Sequence, residues 1–122
     1  MKLGDAFLMG VPPDYDCNHL FFVISDPDKH NGTFVIVNVT RNWFRAGREC
    51  ILGVGDHPWI QEECFVSFAD ALEITTERAE MITALIGTRI QSQLPLGERT
   101  LAKIVGAAKE SKAIPIAFKK YL

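Results

Sequence analysis

The chain has 122 residues, of which 48% are hydrophobic and 23% are charged, and its formal net charge is −2. This length and apolar content are typical of one globular domain that buries its own core, and they exclude a disordered chain. The charge balance disfavours a protein that coats nucleic acid over its whole surface, because phosphate binding needs positive charge. A local basic patch remains compatible with it.

Compartment signals are the next feature of the sequence. An acidic residue, Asp5, stands where a secretion signal needs an apolar run, and no apolar run is long enough to span a bilayer. The three cysteines are an odd number without a close pair, which is typical of a reducing compartment. We therefore expect a cytoplasmic protein with no membrane partner, folded as a single domain over residues 1–122.

The first two-thirds of the sequence read as a series of short β-strands. Asn31-Gly32 is a strong signal for a tight hairpin. Apolar and β-branched runs between turn residues predict about five strands, over residues 5–11, 19–25, 33–40, 50–54 and 64–68. The segments 14–18 and 41–49 are predicted to be loops. Because these turns leave little room for crossover helices, the meander predicts a small antiparallel barrel.

The last third changes to a helical period. Thr75 or Thr76 can cap a helix whose first turn holds acidic residues that complement the helix dipole. Residues 94–97 end that helix, and apolar residues over 101–108 recur at the spacing of a second amphipathic helix. The sequence therefore predicts an α+β protein that is mainly β. A barrel of about five to six strands over residues 1–74 is followed by C-terminal helices over residues 75–122.

Asp56 and His57 lie in a loop between two predicted strands and are followed by Pro58. A carboxylate beside an imidazole can exchange protons near neutral pH, and loops on a rigid scaffold often carry such chemistry. Gly-Asp-His-Pro is also a good turn sequence, since glycine permits positive φ and proline fixes its own φ. The residues thus support two interpretations, a catalytic acid–base pair and a structural turn.

The loop over residues 41–49 combines cationic and aromatic side chains. Guanidinium groups pair with phosphate, and aromatic faces stack on unpaired bases. The pattern therefore predicts a groove for single-stranded RNA, formed by Arg41, Trp43, Arg45 and Arg48. The structural alternative is a solvated loop whose aromatic rings pack on the end of the barrel.

The histidines could complete a catalytic site. His19 opens the second predicted strand and can converge with His57 at one end of the meander, whereas His30 is expected to be a surface residue of the hairpin. RNA cleavage by its 2′-hydroxyl needs a base, an acid and a cation at the phosphate. His19, the Asp56–His57 pair and a loop arginine can supply these roles.

Residue types that bind zinc are also present. None of them forms the close pair that zinc sites typically use, and cysteine is a common buried small hydrophobe. The residues concerned are Cys17, His19, Cys50, His57 and Cys64. The sequence also lacks a phosphate-binding glycine loop and a nucleophile elbow. We therefore expect no metal and no cofactor.

Four segments resemble the MazF/PemK-like toxins, which are cell-growth inhibitors of bacterial toxin–antitoxin systems. They are Gly4-Asp5, the strand over 18–25, the strand over 37–40 that ends in Thr40, and the segment over 65–71. Their order and spacing carry the resemblance, which covers roughly residues 4 to 75 and the helices in kind only.

The resemblance implies an SH3-like barrel, a homodimer, a cognate antitoxin and metal-independent cleavage of single-stranded RNA. Thr40 matches the functional threonine or serine of the family, and it would hold phosphate together with the arginine loop. The chain departs from the family at His19-Leu20, where an arginine before a proline is usual. It also lacks the usual glutamine of the later strand and carries the additional Asp56-His57-Pro58 loop.

These departures leave three functions open. The chain can be an endoribonuclease toxin, a non-catalytic barrel that binds RNA or a protein partner, or a gyrase poison of the type found on a similar fold. Fold alone does not decide between them.

Overall fold

The computed structural model describes residues 1–11, 14–85 and 90–122, and the side chains of these residues except 11, 14–18 and 82–85. Within this part of the chain, six strands form one antiparallel sheet in the order β4-β5-β3-β2-β1-β6, which curls into a half-barrel. The strands are β1 (Ala6–Val11), β2 (Asp14–Val23), β3 (Thr33–Thr40), β4 (Ile51–Leu52), β5 (Cys64–Thr75) and β6 (Gln91–Gln93).

Three α-helices accompany the sheet in the described residues. They are α1 (Trp43–Ala46), α2 (Thr76–Leu85) and α3 (Glu98–Glu110), and short 3₁₀ turns cover Pro27–Lys29 and Ile116–Tyr121. The prediction of a small α+β protein with mainly strands is therefore confirmed. Asn31 and Gly32 form the predicted turn, with φ of 54° and 82°, and lead directly into β3. They do not form a tight hairpin, because β2 ends at Val23 and the 3₁₀ turn Pro27–Lys29 lies in the connection.

The strand boundaries differ from the predicted ones. β2 begins at Asp14, so the segment predicted as a polar loop is a strand, and it pairs with β1 through its backbone, which needs no apolar side chains. β5 continues to Thr75 because its second half pairs with β3. The segment predicted to be helical contains β6, which pairs with β1 at the edge of the sheet.

Alternate residues of the strands bury two apolar clusters, one on each face of the sheet. The first face is covered by α3 through Ile104 and Ala108. The second face buries Phe7, Met9, Phe21, Val23, Phe34 and Ile36. Full burial of each such side chain stabilises the fold by roughly 1.5–3 kcal/mol. Because side chains alternate along a strand, His19 lies on the same face as Phe21, and Thr40 lies on the same face as Ile36.

Candidate functional site

A groove of about 960 Å³ opens at the end of the sheet where β3 ends and β5 begins. Its walls come from β2, from β3 and the residue after it, from the loop before β5 and from β6. Polar and aromatic residues of its lining include His19, Thr40, Arg41, Trp59, Gln61 and Gln93. The groove therefore brings together His19 of β2 with Thr40 and Arg41, which are adjacent at the end of β3.

Strand register explains why His19 and Thr40 meet. β2 and β3 pair from Val23 opposite Ile36 to Phe21 opposite Asn38, and His19 and Thr40 lie two residues beyond this last pair, where both line the groove. Both residues are half-buried. The Thr40 hydroxyl oxygen accepts the Asn42 N–H at 3.1 Å, so it also holds the turn into α1. Among the described residues no hydrogen bond engages the His19 ring, which leaves its nitrogens available to a ligand.

Two of the three loop arginines form salt bridges with carboxylates. Arg41 Nη1 lies 2.5 Å from Glu62 Oε1, and Arg45 contacts Asp70 through two nitrogens at 3.1 and 3.3 Å. These hydrogen bonds raise the pKa of Arg41 and of Arg45. Both guanidinium groups are exposed to solvent, where ion pairs are weak, so a phosphate can replace either carboxylate at small cost. Only Arg41 of the three arginines lies among the residues that line the groove.

The carboxyl of Asp70 has a second partner within the sheet. Hydrogen bonds from Arg45 and then from the Ser67 hydroxyl, at 2.7 Å, hold the pKa of Asp70 below its usual range. Both donors stabilise the charged form of the carboxyl. Asp70 therefore fixes the orientation of Arg45 above β5.

The aromatic residues of the arginine loop form a stack at the surface. Asn42 caps α1 by accepting the Phe44 N–H at 3.1 Å, and the Trp43 and Phe44 rings stack with centroids 3.8 Å apart. The Arg48 guanidinium lies 4.5 Å from the Trp43 ring centroid. Phe44 is 81% exposed and Trp43 is 40% exposed. Trp43 thus already has ring and cation partners, whereas Phe44 presents most of its ring to solvent.

Asp56 acts within its own loop. Its Oδ2 accepts the Gly53 N–H at 2.7 Å, and its Oδ1 accepts the Thr100 hydroxyl of α3 at 3.1 Å. Both carboxylate oxygens are therefore used to fix the loop and to join it to the helix. Among the described residues neither oxygen bonds to His57, and this arrangement favours the turn interpretation.

His57 is a buried link between two segments. The residue is 3% exposed, its Nε2 lies 2.7 Å from the Leu94 carbonyl oxygen, and its Nδ1 accepts the Trp59 N–H at 3.1 Å. Since Nδ1 accepts a hydrogen, the ring proton belongs on Nε2, where it is donated to Leu94. Phe22 packs against the ring with centroids 5.8 Å apart. His57 therefore has no free nitrogen with which to exchange a proton.

The zinc-competent residues are dispersed in the part of the chain that the structure describes. There, no three His, Cys, Asp or Glu residues form a group that could hold a metal ion, and the side chain of Cys17 lies outside the described part. Cys64, in the groove wall, is buried, and burial raises its pKa to about 11. Burial also raises the pKa of Cys50. Both thiols are therefore protonated at neutral pH.

Sequence reasoning did not select Trp59, Gln61 or Gln93 as site residues. The signal for Trp59 was available, because an aromatic residue directly follows His57-Pro58 in an interstrand loop. Gln93 carries no local signal, since it reaches the groove through the pairing of β6 with β1, in which it lies opposite Ala6.

Comparison with known proteins adds no relative. The sequence matches no protein-family model, and no curated protein matches it either. Within residues 1–11, 14–85 and 90–122, none of the helices has the length and apolar character needed to cross a membrane.

Proposed function

We propose that the groove binds single-stranded RNA and that the protein is an endoribonuclease toxin of a bacterial toxin–antitoxin system. The meeting of His19, Thr40 and Arg41 in one groove is the observation that carries the proposal. An imidazole, a hydroxyl and a guanidinium are the groups needed to move a proton and to hold a phosphate. The SH3-like identity of the barrel, a homodimer, a cytoplasmic location and a cognate antitoxin belong to the same proposal.

In this mechanism His19 is the proton-transfer group. It takes the proton of the RNA 2′-hydroxyl while that oxygen attacks the adjacent phosphorus, and it returns a proton to the 5′ oxygen as the P–O5′ bond breaks. The products are a 2′,3′-cyclic phosphate and a free 5′-hydroxyl. Arg41 balances the charge that develops on the phosphate, and Thr40 donates its hydroxyl hydrogen to a phosphate oxygen. Asp56 and His57 hold the loop of the groove in place.

Cleavage of a mixed-sequence single-stranded RNA in the presence of a chelator tests the proposal. We expect the intact protein to cut the RNA and His19→Ala to be slower by roughly 10²- to 10⁴-fold, with an unchanged circular dichroism spectrum. His30→Ala is the matched control, because His30 lies at the hairpin and contacts Tyr121. Absence of cleavage by the intact protein, or full activity of His19→Ala, would contradict the assignment.

A non-catalytic barrel that binds RNA or a protein is the second candidate. The exposed Phe44 beside Trp43 favours it, because solvent-facing aromatic residues are common at recognition surfaces. Saturable RNA binding by the intact protein without any cleavage product would select the RNA-binding form of this candidate. Binding of a protein partner that is lost in Phe44→Ser, by a chain that neither binds nor cleaves RNA, would select the protein-binding form.

A further inference from the structure

Trp59 differs from Trp43 in what surrounds its ring. It lines the groove and is 42% exposed. In the described part of the chain no other aromatic ring and no cation is stacked on it, whereas Trp43 is covered by Phe44 and Arg48. A partly exposed indole without a stacking partner is a suitable platform for a planar ligand.

The backbone around Trp59 is fixed in advance. The backbone N–H of Trp59 donates to His57 Nδ1. The backbone N–H of the next residue, Ile60, donates to the His57 carbonyl oxygen at 3.0 Å. The same imidazole donates to the carbonyl of Leu94, the residue that follows Gln93. One buried ring thus ties together the two segments that carry Trp59 and Gln93. A preformed site loses less conformational entropy when it binds a ligand.

The polar residues next to Trp59 are uncharged amides. Gln61 and Gln93 line the same groove, and among the described residues neither side-chain amide has a hydrogen-bond partner. An amide presents a donor beside an acceptor, which matches the edge of a nucleobase better than it matches a phosphate. The charged partner for a phosphate, Arg41, lies in the same groove.

We infer that Trp59, Gln61 and Gln93 form a subsite for one unpaired nucleobase of single-stranded RNA. The base stacks on Trp59, and the two amides bind its edge, while the neighbouring phosphate is directed to Arg41 and His19. This subsite rests on the proposed RNA-binding function and adds to it the place where base preference is set. His57 is its positioning residue.

Fluorescence of Trp59 tests the stacking directly. The chain has two tryptophans, so Trp43→Phe leaves Trp59 as the only one and keeps an aromatic ring in the surface stack. We expect saturable quenching of this variant by a short single-stranded RNA and none by an abasic ribose-phosphate oligomer of equal length. Trp59→Leu should weaken RNA binding by roughly 5- to 100-fold, and Trp59→Phe by less, because a smaller ring still stacks.

Base preference tests the amides. Gln61→Leu and Gln93→Leu should change the ratio of affinities for the four homopolymeric RNAs, with urea unfolding unchanged from the intact chain. Equal weakening for all four would mean that the amides do not contact the base edge. RNA binding with unchanged Trp59 fluorescence and full affinity in Trp59→Leu would overturn the subsite and leave the RNA-binding function standing. Failure of the intact protein to bind any RNA would overturn both.

Discussion

The 53–60 loop and the groove beside it contain similar polar residues in opposite surroundings. In the loop, Asp56 and His57 use both oxygens and both nitrogens in hydrogen bonds within the protein. Among the described residues of the groove, His19 has no such bond and Arg41 has only an exposed ion pair with Glu62. The number of hydrogen bonds already made by a side chain, rather than its type, separates a structural residue from one available to a ligand.

The largest expected effect is on stability, and it compares the two histidines. His57→Ala should lower the free energy of unfolding by about 2–4 kcal/mol, because it removes two part-buried hydrogen bonds of a buried side chain and leaves a cavity beside Phe22. His19→Ala should lower it by less than about 1 kcal/mol, as expected for a partly exposed residue. Urea unfolding of the two variants measures the difference. Equal losses of unfolding free energy in the two variants would contradict the view that His57 is structural and that His19 is available to a ligand.

A smaller effect is expected from the carboxylates. Asp56→Ala should cost about 1–3 kcal/mol, since the Gly53 N–H and the Thr100 hydroxyl both lose their acceptor. Glu62→Ala, which removes only the exposed partner of Arg41, should change stability by about 0.5 kcal/mol or less. The same unfolding assay measures both variants. A larger loss for Glu62→Ala than for Asp56→Ala would contradict the comparison.

The ion pair of Asp70 should give a pH-dependent contribution below about 1 kcal/mol. Its folded-state pKa lies below the ordinary value of 3.8. The stabilisation is therefore present above pH 3.8 and is lost as the pH falls through the folded-state pKa. The difference in unfolding free energy between the intact chain and Asp70→Asn should shrink over that range. A difference that grows as the pH falls would mean that the carboxyl is not stabilised in its charged form.

The smallest expected effect concerns RNA affinity at Arg41. Glu62→Gln should strengthen RNA binding by about 2- to 5-fold, because phosphate no longer has to displace a carboxylate from the exposed Arg41 guanidinium. Glu63→Gln is the control, since it removes the neighbouring charge without releasing Arg41. Titrations with RNA at fixed salt compare the two variants. Equal gains would assign the effect to net charge alone.

Local sequence signals predicted the parts of the fold that depend on local chemistry. The run Thr33–Thr40 and the Asn31-Gly32 turn are where they were predicted, because β-branched residues and positive φ specify them directly. β6 was missed, since Gln91–Gln93 has no apolar pattern and is a strand only through its pairing with β1. Its position depends on a contact with residues far away in the sequence.

For the candidate site, the sequence predicted some of the residues but not the contacts that they make. Residue chemistry selected His19 and Arg41, and the family resemblance selected Thr40, but only the folded sheet brings His19 to the same groove as the other two. The Asp56–His57 interpretation rested on adjacency along the chain. The partners of these residues are instead backbone groups of their own loop and distant residues, Thr100 and Leu94, which sequence spacing does not reveal.

The two buried thiols can be used to measure how often the wall of the groove opens. Cys50 and Cys64 lie on neighbouring segments, since the N–H of Val66, two residues after Cys64, donates to the Cys50 carbonyl oxygen. A thiol reagent reacts with the thiolate, so burial and protonation protect both residues in the closed protein. In a Cys17→Ser variant, the rate of chemical labelling would therefore report how often β4 and the start of β5 open. The labelling rate of the two buried thiols would thus measure local opening of the core. A ligand that stabilises the closed groove wall would lower this rate.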